Sequence, residues 1–304
     1  MKILIVGAGG VGGYFGAKLM AAGADITFLL REKRRALIEE NGLTIETAEG
    51  SSTVQPRTVD AEQLTPEYDL IILAPKAYDL ADSLASLEKA SARGVFLPFL
   101  NGFDHIQTLD KKFGRDRVMG GVAQIAATIT ESGAVKRMGD MAGLISGARS
   151  PAHAEIARTF ADYCEKADFN FTNAADIEQA LWDKWVMLAT LAGMTTLCLG
   201  SIGEIVATPY GAEMSRGMYG EACAIAAAND HPIAEKVQSG QSTMLTKEGS
   251  IFTASMMRDL TGGLKTEHEH VLGALIAKGA PGNVDCPLLK IAYTHLAVAA
   301  GQGS

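Results

Sequence analysis

The chain has 304 residues, of which 47% are hydrophobic and 20% charged, and its formal net charge is −8 at pH 7. A single core stops growing at roughly 250–300 residues, so this length favours two domains. The negative charge argues against a nucleic-acid partner, which would need a basic face. Because no run of about 18 uninterrupted apolar residues occurs, we expect no membrane span and a cytoplasmic protein.

The first part of the chain alternates between strand and helix patterns. Short apolar runs rich in β-branched residues predict buried strands, and the amphipathic runs between them predict helices. This alternation predicts a doubly wound parallel sheet with helices on both faces. We predict strands over 2–6, 24–30, 68–74 and 94–100, helices over 11–22, 32–40, 79–91 and 104–113, and a hairpin within 43–59.

The pattern then changes twice. Residues 118–147 are rich in glycine, threonine and β-branched residues and predict antiparallel strands that finish the sheet edge, with a turn at Glu131-Ser132-Gly133. A helix over 152–166 follows Pro151. From about Asn173 the pattern is almost entirely helical, so we predict an α/β domain over 1–173 and an all-α domain over 174–304. The predicted helices of the second domain cover 176–199, 211–229, 233–238, 264–278 and 288–300.

A glycine-rich motif of the form G-x-G-x-x-G lies between the first predicted strand and the first predicted helix, as a dinucleotide-binding turn of the Rossmann type requires. The first glycine permits the tight turn, the second lets a pyrophosphate approach the backbone, and the third allows close helix–strand packing. A turn without a ligand is the alternative interpretation. The predicted cofactor-binding residues are Gly7, Ala8, Gly9, Gly10, Val11 and Gly12.

Arg31 stands at the end of the second predicted strand, where an NAD site usually carries an acidic residue. An arginine there suits the 2′-phosphate of NADP(H), and Lys33, Arg34 and Arg35 add positive charge nearby. The sequence therefore favours NADP(H) as cofactor. The alternative is a solvated basic helix start in which Glu32 pairs with Arg31.

Several further segments, in order and spacing, carry a resemblance to ketopantoate reductases (2-dehydropantoate 2-reductases) that spans nearly the whole chain. They are Ala74-Pro75-Lys76, Leu100-Asn101-Gly102, Ala180-Leu181-Trp182-Asp183-Lys184, Ser255-Met256-Met257-Arg258-Asp259 and Lys265-Thr266-Glu267.

That resemblance implies a Rossmann domain followed by an all-helical domain, with the active site in the cleft between them. It implies that Lys184 is the general acid and that Ser255 and Glu267 bind substrate. Glu267 is expected to be a catalytic residue together with Lys184. It also implies that Lys76 and Asn101 contact both cofactor and substrate. The expected reaction is NADPH-dependent reduction of a 2-oxo acid, in pantothenate biosynthesis if the substrate is 2-dehydropantoate.

The chemistry of Lys184 agrees with this role. Hydride transfer to a ketone develops negative charge on the carbonyl oxygen, which an ammonium group can stabilise and protonate. The neighbouring apolar residues should lower the pKa of the Lys184 side chain. From the helix alone, a lysine on a solvated face would be the simpler interpretation.

Three positions depart from the resembled pattern, because Leu188, Ala192 and Ile202 stand where the family carries asparagines. These losses of hydrogen-bonding groups suggest a changed substrate, such as a related 2-oxo acid or a more apolar ketone. They also leave open a non-catalytic NADP(H)-binding sensor.

Other features of the sequence predict little chemistry. In Glu267-His268-Glu269-His270 alternate residues would not share a helix face, so a solvated face is favoured over a metal site. The four cysteines make no ligand pair and predict small buried residues. Symmetric dimers are common, so we expect a homodimer.

Overall fold

The computed structural model describes residues 1–87, 90 and 93–302. The chain divides into two compact units. The first comprises Met1–Leu100 and His105–Glu178, and the second comprises Asn101–Asp104 and the chain from Gln179 onward. The short Asn101–Asp104 segment therefore packs with the second unit although it lies within the sequence of the first.

The secondary structure follows the predicted rhythm. The strands are β1 Lys2–Val6, β2 Asp25–Leu29, β3 Leu43–Thr47, β4 Gly50–Val54, β5 Arg57–Val59, β6 Leu70–Leu73, β7 Val95–Pro98, β8 Gly120–Ile129, β9 Val135–Gly147 and β10 Asn170–Asn173. The helices are α1 Gly10–Ala21, α2 Glu32–Asn41, α3 Leu80–Ser86, α4 Asp104–Phe113, α5 Ala154–Cys164, α6 Ile177–Cys198, α7 Ile202–Val206, α8 Gly211–Ala228, α9 Glu235–Leu245, α10 Ser255–Thr261, α11 Ala274–Gly279 and α12 Pro287–Gln302.

The first unit is built on a parallel sheet with the strand order β5-β2-β1-β6-β7. β1 pairs with β2 on one side and β6 on the other. The strand order reverses at β1, and ligands of doubly wound folds bind at the carboxyl ends of the strands at such a point. The predicted fold class, a Rossmann-type domain followed by a helical domain, is confirmed.

A second sheet in the same unit corrects one prediction. The antiparallel strands β8 and β9 do not finish the edge of the parallel sheet. They form a separate mixed sheet in which β9 also pairs with β3 and β10. Besides β8, the strand β3 of the β3–β4 hairpin and the unpredicted strand β10 supply backbone partners for β9. Only the end of the predicted hairpin region, β5, joins the parallel sheet, beside β2.

The second unit is helical in the part of the chain that the structure describes, and the long helices α6, α8 and α12 match their predictions within a few residues. The short helices α7 and α10 were missed. Ser201 and Glu204 form a capping box at α7, and the S-x-x-E pattern was a readable signal for it. The helix predicted over 264–278 starts late and passes through a π-helical turn, Glu269–Gly273, before α11. Part of the predicted helix over 79–91 lies outside the described residues.

No described helix combines the length and the apolar character that crossing a bilayer requires.

Candidate active site

The glycine turn after β1 has the geometry that the motif predicts. Gly7 adopts φ +92°, which favours glycine. A Cβ on Gly12 would lie 2.3 Å from the Gly7 carbonyl oxygen and 2.9 Å from the Ala74 Cβ, so the helix can approach the sheet only with glycine there. A Cβ on Gly9, by contrast, would meet nothing within 4 Å. Since α1 begins at Gly10, open space lies beside the first backbone N–H groups of a helix, where a helix N-terminus would hold a pyrophosphate.

The basic residues near this turn have different hydrogen-bond partners. Arg34 donates from Nε and Nη2 to the Ala8 carbonyl at 3.1 and 2.9 Å, and from Nη1 to the Gly133 carbonyl at 2.6 Å. Arg35 is paired with Asp60 and bonded to Gln63. Arg34 is bonded to neutral carbonyls and so keeps its positive charge near the turn, whereas the charge of Arg35 is balanced by Asp60. Arg34 also holds the glycine turn against the turn between β8 and β9.

Arg31 keeps an exposed side chain at the end of β2. Its Nη2 donates to Asp79 Oδ1 at 3.1 Å. The partner is thus Asp79 and not Glu32, the partner that the sequence suggested. Lys33 is exposed on the first turn of α2.

Lys76 lies just beyond β6 and precedes a short 3-10 helix, Ala77–Asp79. Its carbonyl accepts a hydrogen bond of 2.9 Å from the backbone N–H of Asp79. The position is at the carboxyl end of a strand that neighbours β1, where parallel sheets bind ligands.

In the second unit, Lys184 on α6 donates from Nζ to Asn101 Oδ1 at 3.1 Å. Burial of the ammonium group lowers the pKa of Lys184 from 10.5 to about 8, and the nearby negative charge of Glu267 partly opposes this shift. The lowered pKa that the apolar neighbours predicted is confirmed. The structure therefore brings three of the predicted site residues, Lys184, Asn101 and Glu267, into one cluster.

The turn that carries Asn101 is fixed by close packing. Gly102 has φ +81°, and a Cβ there would lie 2.6 Å from the His270 carbonyl oxygen. The next residue, Phe103, packs on Trp182 and Trp185 with ring centroids 5.5 and 6.1 Å apart. Asn101 is held beside α6 because Gly102 permits the close backbone approach and Phe103 packs against the two tryptophans.

Trp185 also connects α6 to the π-helical turn. Its Nε1 donates to the Val271 carbonyl at 2.9 Å. A π-helical turn displaces its carbonyls from the regular α-helical ladder, and such turns occur often at functional sites. This one follows directly on Glu267 and His268.

Glu267 is only 7% exposed, and its neighbours Thr266 and His268 are buried as well. The expectation of a solvated helix face over Glu267-His268-Glu269-His270 is therefore wrong for its first half. Thr266 Oγ1 lies 2.7 Å from His268 Nδ1, which keeps both polar groups partnered inside the unit. Among the described residues, no three histidine, cysteine or acidic side chains are grouped as metal ligands would be.

Ser255 is the first residue of α10 and is partly exposed. The backbone N–H of Ala254, just before it, donates to Thr195 Oγ1 on α6 at 3.4 Å. Thr195 lies roughly three turns after Lys184, so this contact ties the start of α10 to the helix that carries Lys184.

The three apolar residues that replace the family's asparagines are not equivalent. Ala192 is 1% and Ile202 0% exposed, so both side chains are enclosed by protein. Leu188, one turn after Lys184 on α6, keeps part of its surface. Of the three, Leu188 is the one that keeps surface accessible to another molecule.

The cysteines are all unpaired, but they are not all buried as predicted. Cys164 and Cys286 are buried, whereas Cys198 is exposed at the end of α6.

Comparison with known proteins agrees with both units. The sequence model of the family "Ketopantoate reductase PanE/ApbA" matches residues 3–150, and that of its C-terminal part matches residues 176–300. An uncharacterized oxidoreductase of Bacillus subtilis (strain 168), YkpB, is 30% identical over 97% of this chain and 98% of its own. A 2-dehydropantoate 2-reductase of Archaeoglobus fulgidus is 27% identical over 94% and 93%.

Among solved structures, a D-mandelate dehydrogenase with NADH and anilino(oxo)acetate has a TM-score of 0.88 at 21% identity, covering 100% of this chain and 99% of its own. At that identity the likeness concerns the fold.

Fold and comparisons together define an oxidoreductase of the ketopantoate reductase type. The chain belongs to the ketopantoate reductase PanE/ApbA family.

Proposed function

We propose that this protein reduces a 2-oxo acid to the 2-hydroxy acid with NADPH, and that Lys184 is the general acid. When bound, the reduced nicotinamide supplies a hydride to the carbonyl carbon. The Lys184 ammonium donates a proton to the carbonyl oxygen. The ketone thereby gains a hydride and a proton, and the lysine is left neutral. Lys76, Ser255 and Glu267 are proposed to bind the substrate, and Lys76 and Asn101 to contact the cofactor as well.

The hydrogen bond between Lys184 and Asn101 is the observation that carries the proposal. An acid works best when its pKa lies near the working pH, and burial lowers the pKa of Lys184 to about 8. At pH 7 most molecules then carry the proton, yet a desolvated ammonium gives it up readily. The Asn101 oxygen fixes the direction of Nζ, and the Glu267 charge favours the protonated form.

The substrate class follows from Leu188. A leucine one turn from the proton donor offers an apolar contact where an asparagine would offer hydrogen bonds. We therefore propose a 2-oxo acid with an apolar side chain, with 2-dehydropantoate itself as the competing substrate. The similar fold of a D-mandelate dehydrogenase bound to anilino(oxo)acetate supports the view that this architecture can accept an oxo acid with a ring.

Oxidation of NADPH, followed by absorbance, tests the reaction. The panel is 2-dehydropantoate, 2-oxo acids with branched aliphatic side chains, and phenylglyoxylate. We expect turnover of an apolar 2-oxo acid, and we expect Leu188→Asn to shift the preference towards 2-dehydropantoate.

Lys184→Ala tests the role of the proton donor. Loss of a general acid should lower kcat about 10²–10⁴-fold while NADPH still binds, as measured by nucleotide fluorescence. The matched control is Lys236→Ala, which removes an exposed lysine from α9. Full turnover in Lys184→Ala would refute the assigned role. Cofactor binding without turnover of any carbonyl by the unmodified protein would instead favour a sensor.

A further inference from the structure

The ion pair between Arg31 and Asp79 joins segments that follow the two neighbours of β1 in the parallel sheet. β1 is flanked by β2 and β6. Arg31 follows β2 and Asp79 follows β6, and their side chains meet at 3.1 Å. The pair therefore spans the carboxyl end of β1, from which the glycine turn starts.

The two partners are held differently. The backbone of Asp79 is fixed on both sides, because its N–H donates to the Lys76 carbonyl at 2.9 Å and its carbonyl accepts from Ser83 Oγ at 2.8 Å. The Arg31 side chain is 74% exposed, against 34% for Asp79. An arginine that is mostly in solvent can turn to another anion, whereas the fixed backbone of Asp79 limits how far its carboxylate can move.

We propose that Asp79 is a specificity-determining residue that competes with the 2′-phosphate of NADP(H) for Arg31. This inference rests on the proposed use of NADP(H). A 2′-phosphate that binds Arg31 must displace the carboxylate or share the guanidinium with it, and in either case it remains close to the negative charge of Asp79. NADH makes no such demand, because its ribose carries a neutral hydroxyl there. Asp79 therefore lowers the ratio of NADPH affinity to NADH affinity that Arg31 would otherwise provide.

The test is binding of the two reduced cofactors without substrate, by nucleotide fluorescence, to the full chain and to Asp79→Asn. An exposed ion pair contributes little free energy, so Asp79→Asn should raise the affinity for NADPH only modestly. We expect Asp79→Asn to bind NADPH about five times more tightly and NADH within about twofold of the unmodified chain. Asp82→Asn is the matched control, because it removes an exposed carboxylate from the next turn of the same segment, and it should leave both affinities within about twofold.

A second background shows whether Asp79 acts through Arg31. In Arg31→Ala the gain from Asp79→Asn should disappear. Equal gains in both backgrounds, an equal gain from Asp82→Asn, or unchanged or weaker NADPH binding by Asp79→Asn would each overturn the inference. If Arg31→Ala itself leaves the ratio of NADPH to NADH affinity unchanged, the proposed NADP(H) preference fails as well. If that ratio falls but Asp79→Asn does not raise it, the inference alone fails.

Discussion

Replacing Lys184 by methionine should stabilise the helical unit at neutral pH, because the native lysine is charged in a place that disfavours charge. Burial lowers its pKa from 10.5 to about 8. At about 1.4 kcal/mol per pKa unit, this shift corresponds to about 3 kcal/mol of destabilisation at pH 7. Methionine fills similar volume without charge but leaves the Asn101 oxygen without its donor, which costs about 1 kcal/mol. We therefore expect a net gain of about 1–3 kcal/mol.

The pH dependence of that gain has a definite sign. Below pH 8 the folded and unfolded chains both carry the proton, and the desolvation cost is present in full. Between pH 8 and 10.5 the folded lysine is neutral while the unfolded one is still charged. Stability of the native protein then rises with pH, and the advantage of Lys184→Met should shrink and disappear by about pH 10.5.

Urea unfolding monitored by tryptophan fluorescence measures this effect. The chain has two tryptophans, Trp182 and Trp185, and both lie beside Lys184 on α6, so the signal reports on the right part of the molecule. Lys236→Met on the exposed surface of α9 is the control. If Lys184→Met is no more stable than the native chain at pH 7, or if its advantage stays constant up to pH 10, Lys184 is not the desolvated group inferred here.

Two other substitutions test the surroundings of Lys184. Glu267→Gln removes the charge that raises the pKa of Lys184, so the alkaline limb of kcat/KM for ketone reduction should move to lower pH. The control Glu269→Gln should leave that limb in place. If the limb in Glu267→Gln is unchanged or moves to higher pH, the assigned interaction is wrong. Gly102→Ala should destabilise the helical unit by about 2–4 kcal/mol, since it combines a positive φ with a Cβ 2.6 Å from a carbonyl of the π-helical turn. Gly220→Ala on α8, where a Cβ meets nothing within 4 Å, is the control in thermal unfolding and should be neutral or slightly stabilising.

The sequence by itself determined the features that depend on neighbouring residues. The turn from Gly7 to Gly12 was readable because each glycine answers a local demand, either a backbone angle or the close approach of helix and strand. The long helices were readable because apolar residues recur at helical spacing over many turns. The resemblance added Lys184, Asn101 and Glu267, whose joint position no local pattern could predict.

The tertiary structure decided the features that depend on which distant groups meet. Arg31, Arg34 and Arg35 look alike in sequence, but packing pairs Arg34 with two backbone carbonyls, Arg35 with the Asp60 carboxylate and Arg31 with the Asp79 carboxylate. The strands β8 and β9 were predicted, but their sheet was not, because strand pairing depends on partners far away along the chain. The sequence pattern placed Glu267 on a solvated helix face, but in the folded chain its side chain is buried. Burial and long-range pairing set the charge state and availability of a side chain, and both arise only when the chain has folded.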